Sequence, residues 1–274
     1  MSYISDLKGR LIIDDNNYTQ FINVKDENGE LLCKGYNPRD YGAAPFGSFA
    51  DPFPQEFYVD SSEWADRIEQ LNAIEGQPFH HKKRAGFKSL DQERTSYCWI
   101  NAPIQACHYV RAMQGLEHVP LSPASVGAKI KRFRNVGGWG SEGLDYLAKY
   151  GAVPQSMWPA NAIDKQYDTS AADTERAKYK VEEFYELPDK SFHALVSCLL
   201  RGWPVPIGLN WWRHEILACG LHIQGSDPEA DTVVEIDNSW GESWGDNGHG
   251  ILTRSKATPD DAVVVRVMIP SAGL

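Results

Sequence analysis

The sequence has no stretch near the ~20 consecutive apolar residues that carry a helix across a bilayer, so no membrane partner is expected. It has no C-x-x-C pair. Its five cysteines, Cys33, Cys98, Cys107, Cys198 and Cys219, fall at irregular spacing. An odd number without a pattern gives neither a disulfide framework nor a zinc knuckle, so free thiols and a reducing or neutral compartment are expected. Cations are in deficit: 27 Lys and Arg stand against 37 Asp and Glu, a formal net charge of -10. Binding a nucleic-acid backbone needs clustered cations, so nucleic acid is not the expected partner. The one basic run, His80-His81-Lys82-Lys83-Arg84, reads as a solvated linker. Two adjacent histidines lack the wider ligand spacing of a zinc site, and no metal or cofactor is expected. The N-terminus, MSYISDLKGRLIIDD, places Asp6 where the apolar core of a secretory signal would begin. A cytoplasmic or virion-associated setting is the expectation. There is no internal repeat and no low-complexity tract.

What is present is a chain of 274 residues with ordinary globular usage, 42% hydrophobic and 23% charged, enough for one large domain or two packed ones. Nine tryptophans are many for this length. Residues 10–24 and 31–33 read as short strands, with Asn28-Gly29 as a turn. From Gly35 to Phe57, proline and glycine erase any period, so an extended ordered arm or long loop is expected. Asp60-Ser-Ser-Glu63 reads as a capping box before a helix over about 61–75. Further helices are expected from Cys98 to about Met113, over about 123–133 behind Ser122-Pro123, from Ser141 to Tyr150, and from Ser191 to Arg201. Then the period changes, and Val205–Leu209, Ile216–Ile223, Thr232–Ile236 and Val263–Met268 read as strands. Helices first and strands second predict an α+β fold, or two unlike lobes in contact.

Two stretches carry chemistry. In Gln92-Glu-Arg-Thr-Ser-Tyr-Cys98-Trp99 a cysteine opens a helix, where unsatisfied N–H groups and the positive dipole end favour its thiolate. The Gln92 amide and the Cys98 N–H together can form a two-donor oxyanion hole. A buried structural cysteine is the plain alternative. The second stretch runs Asn238-Ser-Trp240-Gly241-Glu-Ser-Trp244-Gly245-Asp-Asn-Gly248, after an expected strand. Its tryptophans can shield a polar contact from water; a glycine-rich turn with aromatic packing is the plain alternative.

These residues resemble the papain-like cysteine peptidases over about residues 86–268. The family's Gln-x₅-Cys-Trp matches Gln92, Cys98 and Trp99. Its Asn-Ser-Trp-Gly-x-x-Trp-Gly-x-x-Gly matches Asn238 through Gly248 at every fixed position, and its Leu-Ser matches Leu121-Ser122. Its substrate-lining Gly-Gly looks like Gly137-Gly138, followed by Trp139. For the histidine, His214-Glu-Ile-Leu-Ala-Cys-Gly220 fits the family's His-x-Val-x-x-x-Gly. His214 would open a strand whose hairpin partner ends at Asn238. His222, in mid-ladder opposite about Val234, is the alternative, and His108 reads as a packing or surface residue.

The resemblance implies a two-lobed fold: a helix-rich lobe over 86–176, a β-barrel-like lobe over 177–274, and the active cleft between them. It implies a cysteine peptidase acting on a peptide or protein substrate. Cys98 would be nucleophile, His214 base, Asn238 orienter and Gln92 oxyanion donor, with Gly137, Gly138, Trp139 and Trp240 binding substrate or covering the site. Thr95 and Asn135 stand where the family has a disulfide, and only four residues separate the strand Val205–Leu209 from His214. Residues 1–85 do not look like the family's helical propeptide; they are expected to wrap the body or cross the cleft, with residues 35–58 ordered and limiting access. An assembly partner for this arm is a further expectation. The alternative functions are a structural or binding component of a larger assembly, such as a virus or phage particle, and an amide transferase or deconjugating enzyme with the same triad.

Overall fold

The computed structural model describes residues 4–26 and 28–269. Its centre is a seven-stranded sheet in the order β1-β6-β5-β4-β3-β7-β2. The strands are β1 (Ile12–Ile13), β2 (Val181–Glu186), β3 (Val205–Leu209), β4 (His214–Ile223), β5 (Thr232–Asp237), β6 (His249–Leu252) and β7 (Asp261–Met268). All neighbours pair antiparallel except β1 with β6, which are parallel. The expected barrel-like lobe is corrected here: the sheet is open, ending in the two-residue β1 on one side and β2 on the other. The α+β class stands.

The helices are α1 (Trp64–Ala73), α2 (Pro78–Ala85), α3 (Cys98–Met113), α4 (Ala124–Ile130), α5 (Gly140–Lys149), α6 (Ser170–Arg176) and α7 (Phe192–Leu199), with single turns α8 (Pro228–Asp231) and α9 (Arg254–Ala257). Helix α3 is buried on all sides from Cys98 to Arg111 and continues through Pro103. It packs Ile100, Ile104, Cys107 and Val110 against Leu217, Val263 and Val265 on one face of the sheet. On the other face, Trp64 and Ile68 of α1 and Leu195, Val196 and Leu199 of α7 pack against Ile207, Ile216, Val234 and Val264. Alternation along each strand sends successive residues to opposite cores, which is why β3, β4 and β5 are buried at every position.

The local rules explain most boundaries. Ser122 Oγ accepts from Ser125 N–H at 3.1 Å and starts α4. That helix stops short of the expected residue 133 because Arg132 and Phe133 take φ of 53° and 60°. Ser191 caps α7 through Ala194 N–H at 3.2 Å. The main corrections fall at the N-terminus. Only Ile12–Ile13 is a strand there, and Tyr18–Phe21 is a 3-10 turn. Residues 31–33 form no strand; Lys25 and Leu31 make one isolated bridge around the Gly29 turn. The basic run is helix α2, not a solvated linker. Pro78 opens it, Gly86 closes it at φ 72°, and Lys82 points inward at 6% exposure. Its charge is met by Asp237 Oδ2 at 2.7 Å.

Candidate active site

Cys98 is the first residue of α3 and is fully buried. The backbone N–H groups of Glu215, Tyr36 and Trp99 draw its thiol toward the ionised form, but burial outweighs them and pushes its pKa well up. Of these groups, Tyr36 belongs to the N-terminal arm, so the arm lies directly on the sulfur.

His214 opens β4, and Asn238 directly follows the last residue of β5, so both sit at one end of the hairpin. His214 Nε2 lies 2.7 Å from Asn238 Oδ1, which also accepts from Ser239 N–H at 2.8 Å. An oxygen accepting from a backbone amide stays an acceptor, so Nε2 carries the proton and Nδ1 keeps the lone pair. That Nδ1 is buried and has no hydrogen-bond partner. Trp240 stacks on the imidazole at 4.5 Å between centroids, and Trp212 meets it edge-on at 5.3 Å. Burial in this aromatic box lowers the pKa of His214 to about 3, with Asn238 opposing.

Gln92 is tied to the same corner. Its backbone N–H donates to Ser239 O at 2.8 Å, and its Oε1 accepts from Ser239 Oγ at 2.6 Å. That fixes the amide orientation and turns Nε2 toward Thr95 O at 2.8 Å and the arm carbonyl of Lys34 at 3.5 Å. Ser239 was missed as a positioning residue, although it lies inside the Asn-Ser-Trp motif. Trp212 was missed because nothing on a short connection distinguishes a lid from surface packing.

The other expected residues line the same cleft. Gly138 N–H donates to Gly35 O at 2.9 Å, and Asn37 N–H donates to Gly138 O at 3.2 Å. A Cβ on Gly137 would lie 2.3 Å from Gly35 O, so the glycine pair is what lets a peptide backbone approach. Trp139 packs on Phe49 of the arm at 6.3 Å. Trp240 Nε1 donates to Cys33 O at 2.8 Å. Residues 33–37 thus run from Trp240 across Gln92 and Cys98 to Gly138.

The arm is pinned further on by Arg39, whose guanidinium meets Asp261 at 3.0 Å and Glu186 at 3.2 Å, all with side chains buried. The rejected histidines have other partners. His222 pairs with Val233 in the ladder and bonds Glu235 at 2.6 Å, and His108 accepts from Leu121 N–H at 2.9 Å. A bulge between Ala218 and Gly220 switches the strand's alternation, so His222 lands on the face opposite to that of His214.

All five cysteines are unpaired. Where the resemblance implies a missing disulfide, the Asn135 side chain bridges instead: Oδ1 accepts from Ser96 N–H at 2.6 Å and Nδ2 donates to Arg94 O at 3.0 Å. Among the described residues no cluster suited to a metal ion is found.

No protein-family model matches the sequence, and no curated protein matches it either. Solved structures do match. Xylellain, a cysteine protease from Xylella fastidiosa, is 17% identical, with a TM-score of 0.54 over 97% of this chain and 99% of that one. The digestive procathepsin L 3 of Tenebrio molitor larval midgut is 16% identical, with a TM-score of 0.57 over 92% of this chain and 79% of that one. The proCathepsin B S9 from Trypanosoma congolense is 12% identical, with a TM-score of 0.57 over 91% of this chain and 94% of that one.

The chain has the fold of the papain-like cysteine proteases. Within this papain-like fold, Cys98 stands at the head of the central helix and His214 and Asn238 at one end of the sheet.

Proposed function

We propose that the protein is a cysteine peptidase that hydrolyses peptide bonds through a thioester at Cys98. The observation that carries this reading is the His214–Asn238 pair, which leaves an unpartnered imidazole lone pair inside a cleft that already binds a peptide backbone at Gly138. In the proposed cycle, His214 Nδ1 takes the proton of Cys98, and the sulfur forms a bond to the substrate carbonyl carbon. The oxyanion is held by Gln92 Nε2 and the Cys98 N–H. The carbon–nitrogen bond then breaks, the amine leaves with the proton from His214, and water releases the acid. Asn238 holds the ring and its tautomer throughout, and Trp240 and Trp212 keep water from that contact.

In the arm-covered state both reacting groups are neutral: burial raises the thiol and lowers the imidazole. The arm therefore acts as a gate, lying on the sulfur and paired with the backbone of Gly138. The part that has to move is the stretch over the cleft, residues 33–37, because Ile13 in the sheet and Phe53, Val59, Trp64 and Lys82 belong to the buried body.

The test is hydrolysis of fluorogenic peptides by the full chain and by Cys98→Ala, with iodoacetamide labelling located by mass spectrometry. Activity should vanish in the variant at unchanged circular dichroism, and the label should sit on Cys98. Undiminished turnover in Cys98→Ala would remove the assignment.

A further inference from the structure

Strands β4, β3 and β7 place Glu215, Gly208 and Asp261 in one row, since Gly208 pairs with Glu215 on one side and Asp261 on the other. Directly opposed residues of antiparallel strands point to the same face. Two carboxyl side chains therefore flank a position with no side chain, which makes a slot. Tyr36 of the arm fills it: a Cβ on Gly208 would lie 2.3 Å from the Tyr36 ring and 2.9 Å from its hydroxyl. Tyr36 is 1% exposed, and its hydroxyl is buried without a hydrogen-bond partner. The backbone on both sides of Tyr36 pairs with Gly138, so the slot receives the side chain of a residue held as a bound peptide.

The acids of this slot are poorly provided for by the body. Glu215 accepts a hydrogen bond from Gly140 N–H at 2.9 Å, and among the described residues no lysine or arginine pairs with it. Burial first, and then the charge of Asp261, push its pKa well above the usual carboxylate range. Asp261 has a cation, Arg39 at 3.0 Å, but Arg39 belongs to the arm. When the arm lifts from the cleft, the ring that plugs the slot and the charge that balances it leave together.

We propose that the slot between Glu215 and Asp261 selects a cationic side chain, lysine or arginine, in the peptide that replaces the arm. A guanidinium or ammonium donates to both carboxylates at once. A neutral side chain leaves them buried and unsatisfied, and an acidic one adds like charge. Tyrosine is a compromise occupant, since it fills the space and leaves its hydroxyl without a partner. The proposal rests on the cleft being a peptide site.

The experiment has two readouts on the full-length chain, one independent of catalysis. Tyr36→Ala combined with Arg39→Gln opens the slot and removes the arm's cation from Asp261. The thermal unfolding of this double variant is followed with millimolar benzamidine or with phenol. Benzamidine should raise its Tm above the shift given by phenol, leave the parent chain unmoved, and lose its effect when Glu215→Gln is added. Equal shifts from the two probes, or a benzamidine response that survives Glu215→Gln, overturn the proposal. The second readout is the labelling rate of Cys98 in the unmodified chain by peptidyl chloromethyl ketones carrying Lys, Leu or Glu at either of the two positions before the reactive group. At one of these positions the Lys peptide should react at least tenfold faster than the Leu peptide, with the ratio collapsing in Glu215→Gln; equal rates at both overturn the proposal. If no peptide labels Cys98, the peptidase reading fails and the thermal readout still decides the slot. If the double variant does not fold, the labelling ratio decides it.

Discussion

Glu215 and Glu235 belong to the same hairpin and are each 2% exposed, yet their pKa values are pushed in opposite directions. Burial would raise both. At Glu235 it is overcome by hydrogen bonds from His222 at 2.6 Å and His249 at 3.1 Å, with Arg10 at 2.7 Å, and the group is held well below the usual carboxylate range. At Glu215 one backbone amide opposes burial and the neighbouring Asp261 adds to it, so its pKa rises. Partners, not depth, set the charge of a buried acid. The region around Glu235 is a closed network. It runs through His249 to Lys82 at 3.0 Å and on to Asp237, Ser89 and Tyr109, and so ties α2 and α3 to the last residue of β5, next to Asn238. The region around Glu215 is unfinished in the body and completed by the arm. The first is built for anchoring and the second for exchange of an occupant.

The largest effect should separate the two histidines of β4. His214→Ala should cost on the order of 10³-fold in kcat/KM, as expected for a general base, while His222→Ala should keep turnover and lose stability. Rapid peptide hydrolysis by the first variant with loss in the second would place the base on the wrong face. Next is the anchor itself. Glu235→Gln should destabilise by about 3 kcal/mol in urea unfolding, because it leaves Arg10 and two histidines around an uncharged group. An unchanged midpoint would mean that the network contributes nothing net. Smaller again is Asn238→Ala, which removes orientation and leaves the base: about tenfold in kcat, or ~1.4 kcal/mol. A loss equal to that of His214→Ala would give Asn238 a larger role than positioning.

The smallest effect is a difference in pH dependence. Glu235 is depressed in the folded state, so its contribution is present above the unfolded value of 4.5 and is lost as pH falls. Glu215 is raised, so its cost grows as pH climbs above 4.5. Glu215→Gln should therefore gain roughly 1 kcal/mol at pH 8 and nothing near pH 4. Tm measured across that range reads this directly, and a gain at acid pH instead would reverse the assignment of its charge.

The sequence by itself determined the elements whose signal is local. Helix α3 and the hairpin β4–β5 lie where their apolar patterns and turn residues placed them, because those signals are written in neighbouring residues. Cys98, His214 and Asn238 were legible from the motifs around them, and each sits at or next to the end of an element; Gln92, in the turn before α3, was legible by its spacing from Cys98 in the motif. Only the tertiary structure decided the rest. Lys82 looked solvated because a charge on a short helix has no local sign of burial; its partner Asp237 is far away in sequence. The bulge at Ala218–Gly220, which turns His222 away from His214, follows from packing two cores against one strand. The slot needed three strands to bring Glu215, Gly208 and Asp261 into one row, and an arm without any period to supply Tyr36. A side chain's neighbours along the chain choose its secondary structure, but a buried charge is settled by partners that only the fold brings within hydrogen-bond reach.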